Sequence, residues 1–298
     1  MTRLLLLFAL GCATAVALAA TAAPATSRKP GRNRTTPTVT TPTTTTTPTP
    51  VAPGAYPWHT SIVSTTFWVG EIFNASAADG SQVCSTYDAA WASRWSGGVN
   101  LGPAASGTDC AGAPVGGCDG VPSGTTLATF TCTTERRTAA NGYFPTSPRV
   151  RPAENPFYLD LPFDDVNNAA AFKHRCQVVP WASQYPSSDC ANQSFSYMKN
   201  HWVRIVGPNG NTCYGQIEDA GPFKYDDEAY VFGSTDGRPV SRQANNAGLD
   251  VSPALNGCLG FKELDGDSDK VSWQFVDAAQ VPAGPWTLVV TTSGVDEG

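Results

Sequence analysis

Two aspartates in this sequence stand where a carboxyl group could do proton chemistry. Asp250 lies between Leu249 and Val251, directly before Ser252-Pro253, a pair suited to opening a helix. Apolar neighbours raise a carboxyl pKa, whereas a helix N-terminus with its free N–H groups lowers it. Where desolvation wins, such a group stays protonated near neutral pH and can donate to a glycosidic oxygen. Asp219 follows the run 213–218 and precedes Gly221-Pro222, a turn that would bring its carboxylate to the same groove. An Asp in such a turn also commonly accepts only backbone hydrogen bonds. Glu218 should face the other way by strand alternation, which makes it the weaker member.

An inverting glycosidase needs a second carboxylate about 6.5–9.5 Å from the acid, to activate water. Glu71, closing Thr66-Phe67-Trp68-Val69-Gly70-Glu71, and Asp88, within Tyr87-Asp88-Ala89-Ala90-Trp91, are the candidates. The chain holds eight Trp. Trp68, Tyr87, Trp91, Trp181 and Tyr214 are candidates to stack on pyranose faces, while Trp202, Trp273 and Trp286 read as core. No CxxC pair occurs and His59, His174 and His201 are far apart, so no zinc site is expected. Asp265-Gly266-Asp267-Ser268-Asp269 starts like a calcium loop. However, Lys270 occupies the position that requires Gly and Val276 the one that requires Glu, so it reads as a solvated acidic turn. No metal or cofactor is expected. Esterase and nucleotide-binding readings find no Gly-x-Ser-x-Gly elbow and no phosphate-cradling loop to support them.

The elements that must position these residues are short. Runs rich in aromatic and β-branched residues at 65–69, 157–161, 202–206, 213–218, 248–251, 272–276 and 286–291 predict strands. Residues 89–95 predict a turn or two of helix. Ser252 as N-cap with Pro253 at the first helical position predicts a helix to about Leu259. Long helical periodicity is absent, and a small β-barrel with long disulfide-tied loops is the expected outcome.

The 298 residues carry a net charge of −6 that is unevenly spread. Residues 1–53 hold five basic residues and no acid, leaving 14 bases against 25 acids in the rest, a net −11. Such a body repels a phosphate backbone, which argues against nucleic-acid binding. Arg3, the run Leu4–Leu10 and an Ala-rich stretch predict a signal peptide over 1–23; ordinary cleavage is favoured over acylation at Cys12. Residues 24–53, dominated by Thr and Pro, predict a disordered spacer. Residues 54–298 follow as one domain with an insertion at about 72–150. No later apolar run is long enough to span a membrane. Setting Cys12 aside leaves eight cysteines, which in an oxidising compartment suit four disulfides. Cys176–Cys190 and Cys213–Cys258 are the expected pairs, with Cys84, Cys110, Cys118 and Cys132 stapling the Gly-rich insertion.

Asn209-Gly210 before a strand, then Glu218-Asp219-Ala220-Gly221-Pro222-Phe223, then Ala247-Gly248-Leu249-Asp250-Val251-Ser252-Pro253-Ala254-Leu255, resembles the double-psi β-barrel signature of rare lipoprotein A-like proteins. Expansins, family 45 endoglucanases and lytic transglycosylases of the membrane-bound A type share that barrel. The resemblance covers about 200–275 well and 65–71 with 154–166 more loosely. It implies a mainly β, six-stranded double-psi barrel with one or two short helices, and Asp250 as general acid. Family 45 enzymes carry an Asp directly after a Tyr-Trp pair; here Val69 follows Phe67-Trp68, and Glu71 is displaced by two residues. A lytic transglycosylase needs no second carboxylate, and an expansin-like protein binds glycan without a competent base.

The expectation is therefore a secreted, monomeric protein that cleaves a cell-wall polysaccharide with Asp250 as acid and Asp219 assisting. The alternatives are an expansin-like, non-hydrolytic glycan binder and a scaffold that binds protein. A cellulose-like glycan suits the negative body, with peptidoglycan as the other candidate partner.

Overall fold

The computed structural model describes residues 56–71, 84–97, 117–124, 131–147 and 150–296. The expected leader with Cys12, the spacer, Cys110 and much of the 72–150 insertion lie outside the described residues. The strands are β1 (His59–Thr66), β2 (Val121–Ser123), β3 (Thr131–Thr133), β4 (Tyr158–Leu161), β5 (Trp202–Val206), β6 (Thr212–Ala220), β7 (Leu249–Val251) and β8 (Asp269–Val276). The helices are α1 (Trp91–Trp95), α2 (Ala169–Val178), α3 (Glu228–Val231) and α4 (Pro253–Leu259). The fold is mainly β.

Six strands close a barrel in the order β1-β7-β4-β6-β5-β8, with β8 returning to β1. β1 pairs parallel with β7, and β4 with β6, while the other four pairings are antiparallel. This mixed, closed order is compatible with the double-psi arrangement. Alternate residues turn inward: Leu159, Leu161, Val203, Ile205, Ile217, Leu249, Val251, Val271, Trp273 and Phe275 are buried in the barrel core. Closure leaves the barrel itself no unpaired edge; β2 and β3 form a separate two-stranded antiparallel sheet.

That closure also explains the one expected strand that does not form. Residues 286–291 begin instead in a 3-10 turn, Pro285–Thr287, whose Thr287 side chain bonds back to Gly284. With no free edge to join, the main chain at Thr291 pairs with the side chain of Gln216, at 2.9 and 3.1 Å. The strand expected at 65–69 runs earlier, ending at Thr66 before a turn closed by the Glu71 N–H on Trp68.

Ser252 caps α4 as expected, its Oγ accepting from the Leu255 N–H at 3.2 Å. Helix α2 was not foreseen; it starts at Asn168, whose side chain accepts from Ala170 and Ala171. Cys213–Cys258 ties β6 to α4, and Cys176–Cys190 ties α2 to the turn after it. Cys118–Cys132 joins the chain ahead of β2 to β3, inside the insertion. A second apolar cluster forms against the outer face of the barrel, where Phe67, Val69, Trp91, Trp95 and Cys132 pack on Tyr158. The Tyr158 hydroxyl donates to Asp119 at 2.9 Å, and Asp119 pairs with buried Arg137 at 2.7 Å. These contacts fasten the insertion to the barrel.

Candidate functional site

Strand alternation that sends Leu159, Leu161, Leu249 and Val251 inward sends Asp160 and Asp250 to the opposite, outer face. Asp160 and Asp250 are directly opposite partners across the antiparallel β4–β7 pair. Side chains so placed have Cβ atoms about 4.5–5.5 Å apart. On its other side, Asp160 is the register partner of Asp219 on β6. Three aspartates thus lie in a row across β7, β4 and β6, with Asp219 and Asp250 two strand spacings, or about 9.5 Å, apart.

An irregularity in β6 makes this row. Leu159 pairs with Ile217, but the next residue, Asp160, pairs with Asp219, so Glu218 is skipped. A bulge of this kind re-aims a side chain. Here it gives Asp160 an aspartate as neighbour and turns Glu218 to the buried ammonium of Lys199, 2.7 Å away. Gly221 leaves room for the central carboxyl, because a Cβ there would lie 2.6 Å from Asp160 Oδ2.

The carboxyls differ in surroundings. Asp160 is 4% exposed, and its Oδ1 accepts the Asp250 N–H at 3.2 Å. Burial, then the charges of Asp250 and Asp219, push its pKa well above the usual carboxylate range. Asp219 is held by the N–H groups of Thr86 and Ala220, both at 2.8 Å. Burial outweighs those donors and raises it to about 6. Asp250 is partly exposed. Burial, then the charge of Asp219, raises it to about 7, against a lowering by the main-chain amide of Thr65. Its Oδ1 is buried and accepts no hydrogen bond. An ionised oxygen left so would carry a large desolvation cost, so the geometry independently favours the protonated acid.

Glu71 belongs to the same neighbourhood. Its Oε2 accepts the Trp68 N–H at 3.3 Å, and burial with the charges of Asp250 and Asp265 raises its pKa to about 8. Asp88 does not join them. It is fully buried, ion-paired to Arg94 at 3.1 Å and bonded by the Ala90 N–H, and its charged neighbours are Arg94, Lys199 and Asp296. Asp88, expected as a possible second carboxylate, thus lies among a different set of charges from the aspartate row.

Compared with protein-family models the chain matches none, and among curated proteins it finds no match.

The aromatic candidates divide by burial. Tyr87 and Trp91 are fully buried, the first donating to Phe163 O and the second inside the outer-face cluster, so neither offers a face to a sugar. Trp181 is 2% exposed and stacks on His201. Trp68 and Tyr214 are partly exposed; the Trp68 indole donates to Cys132 O, and Tyr214, five residues before Asp219 on β6, lies against Trp286. Trp202 and Trp273 are core, as expected, and Trp286 is half-buried against it.

Two residues that the sequence reading passed over belong to the site. Asp160 is the centre of the row; its signal was a lone ionisable residue inside the apolar run Tyr158–Leu161. Tyr225 is 38% exposed and lies close enough to the row that Asp160, Asp219, Asp164 and Asp250 all raise its pKa, after burial. Phe223, 47% exposed, packs edge-on against it at 5.6 Å. These rings sit directly after Asp219 in sequence, and they are the exposed aromatic pair beside the carboxyls.

Proposed function

We propose that this is a carbohydrate-active barrel of the double-psi kind, exported from the cell, that cleaves a cell-wall polysaccharide with Asp250 as general acid. One observation carries the reading: a partly exposed carboxyl with a buried, unpartnered oxygen, beside two more aspartates in register. At neutral pH, Asp219 is ionised and its charge helps to keep the proton on Asp250. Asp219 and Asp160 are then positioning residues, and Asp250 is the group that meets the glycosidic oxygen. Phe223 and Tyr225 supply the stacking surface expected of a glycan groove. The disulfides are compatible with an oxidising, extracellular setting, and no helix among the described residues is long and apolar enough to cross a membrane.

Glu71 favours cleavage without an activated water. Glu71, whose pKa the charge of Asp250 helps to raise to about 8, is itself mostly protonated at neutral pH, and Asp219 is committed to two main-chain amides. A lytic reaction, in which the substrate's own hydroxyl attacks, needs only Asp250. The same fact supports a second reading, non-hydrolytic glycan binding of the expansin type.

The test measures product release from cellulose, xyloglucan and peptidoglycan by wild type, Asp250→Asn and Tyr225→Ala. Loss of product with Asp250→Asn, and weakened binding with Tyr225→Ala, is expected. Product lacking a new reducing end would mark the lytic route. Equal product from wild type and Asp250→Asn removes Asp250 from the mechanism; binding without product from either leaves the expansin-type reading.

A further inference from the structure

The bulge that brings Asp219 beside Asp160 leaves Glu218 out of the aspartate row, facing a different set of groups. Lys199 Nζ lies 2.7 Å from Glu218 Oε2, with 2% of the lysine side chain and 1% of the glutamate side chain exposed. The same Nζ donates to Ser293 Oγ at 3.3 Å, and Ser293 Oγ donates to Glu154 Oε1 at 2.7 Å. One amine and two carboxyl groups thus share a nearly dry site, bridged by a hydroxyl.

The backbone fixes this set. The Lys199 N–H donates to Ser196 Oγ at 2.9 Å, and the Asn200 N–H donates to Ile217 O at 2.8 Å, which holds the approach to β5 against β6. The Asn200 side chain donates to Ser293 O at 2.8 Å. A buried ion pair is stabilising only where its desolvation is offset by matched charge and hydrogen bonds. Here one cation faces two carboxyls, so one of them is favoured as the neutral acid. Burial raises Glu218 to about 7 against the pull of Lys199, with the charge of Glu154 adding. Burial also raises Glu154, against the Ser293 hydrogen bond and the charge of Lys199.

A neutral carboxylic acid is an electrophile, and a lysine that has passed a proton to Glu154 through Ser293 is a nucleophile. The lysine nitrogen lies no more than about 1.2 Å further from the Glu218 carboxyl carbon than from its oxygen. That is close to the roughly 3–3.5 Å of reacting atoms poised for attack, where effective concentrations reach about 10⁵–10⁸ M. Such concentrations, with little water present, favour the amide over the separate acid and amine. We propose that Lys199 and Glu218 condense into an amide, a covalent cross-link between the approach to β5 and strand β6, with Ser293 and Glu154 carrying a proton away. The bond from Nζ to the carboxyl carbon forms and the C–OH bond of Glu218 breaks. The lysine nitrogen gives up two protons, one leaving with that hydroxyl as water and one remaining on Glu154. No oxidant or further reactant takes part. The cross-link pins the bulge at Glu218, and with it the register of Asp219 beside Asp160. It does not depend on the glycan function proposed above.

The experiment measures the intact mass of the full chain, purified folded, with its N-terminus determined and its disulfides then reduced. Wild type should be lighter than its sequence by one water. Its tryptic digest should lack cleavage after Lys199 and contain Cys176–Arg204 joined to Ile205–Lys224. Lys199→Arg keeps a cation beside Glu218 and should show its full sequence mass. Glu154→Gln keeps an acceptor for Ser293 but takes up no proton, and should slow the loss of water at least about a hundredfold. Glu154→Asp should restore part of that rate. Circular dichroism checks that each variant is folded. Wild type at full sequence mass with normal cleavage after Lys199 overturns the proposal, whatever the variants do. A loss of water that persists in Lys199→Arg, or one without the joined peptide, also overturns it. Loss at the wild-type rate in Glu154→Gln overturns the part assigned to Glu154.

Discussion

Asp250→Asn is a nearly isosteric change that removes one ionisable group from the outer face of β7. The folded state raises this carboxyl from 3.8 to about 7, so it holds the proton more tightly than the unfolded chain does. Stability from that preference is fully present below about pH 4 and is lost as pH rises through 7. Three units at 1.36 kcal/mol each set a ceiling of about 4 kcal/mol. Asp250 is partly exposed, and solvent screening reduces this to about 1–2 kcal/mol. Asparagine has no proton to lose. The variant should therefore match wild type at pH 4, or fall slightly below it, and exceed it by about 1–2 kcal/mol at pH 8. For a domain of this size that is roughly 2–8 °C in unfolding temperature. Circular-dichroism melts at pH 4, 6 and 8, with disulfides intact, measure it. Equal destabilisation at all three pH values would refute the reasoning. It would mean that position 250 is an ionised, well-bonded carboxylate at neutral pH, with no proton to give.

The same logic applies to the whole chain. Asp160, Asp219, Asp250 and Glu71 are raised, so their contribution falls as pH climbs from about 4 to 8. His59 and His201, lowered to about 4 and about 3, contribute fully above pH 6.5 and lose that as pH falls toward those values. Four carboxyls outweigh two histidines, so the denaturant midpoint should be higher at pH 5 than at pH 8; a higher midpoint at pH 8 would contradict the assignment. Gly221→Ala places a methyl 2.6 Å from Asp160 Oδ2 and should cost about 1–3 kcal/mol. Combined with Asp160→Ala, the two losses should be less than additive, and strict additivity in a double-mutant cycle would deny the contact. Removing the Cys118–Cys132 bond, which spans 14 positions, should cost about 3 kcal/mol. Limited proteolysis should then cut the insertion first, whereas first cuts in the barrel strands would argue against separate stapling.

The barrel strands were legible because their cue is local: Trp202–Val206 and Leu249–Val251 are apolar or alternating runs bounded by turn residues. The cap at Ser252 was legible for the same reason. Helix α2 was not, since Ala169–Val178 mixes Ala with Lys173, His174, Arg175 and Gln177 and buries only Ala171 and Arg175. Without an apolar stripe, Asn168 was its one signal. Asp250 and Asp219 could be picked out from neighbours in sequence. What could not be read was the pairing that makes them a set, because the bulge at Glu218 exists only between β4 and β6. Likewise, Tyr87 and Trp91 are covered by residues far away in the chain, and a pattern of rings near a carboxylate does not distinguish a glycan platform from an apolar layer beneath it.

The row of aspartates is best understood as a departure from what stability alone would select. Like charges directly opposite on neighbouring strands are unfavourable, and an unpartnered buried carboxyl oxygen is more so. Any of the three could be made neutral at little steric expense, as Asn at 250 illustrates. Yet the surrounding chain accommodates them in detail: a bulge brings Asp219 into register, Gly221 leaves space for Asp160, and Thr86 reaches over from the insertion to hold Asp219. Local violations that are supported this consistently mark functional positions more often than accidents of packing. The arrangement has one chemical property that neutral substitutes would lack: it keeps a proton on a partly exposed carboxyl at a pH where an ordinary aspartate has lost it. A mere binding surface has no use for that proton, since glycan hydroxyls are met equally well by amides. On the reading proposed above, acid catalysis does, and that is the argument for proposing cleavage over binding alone.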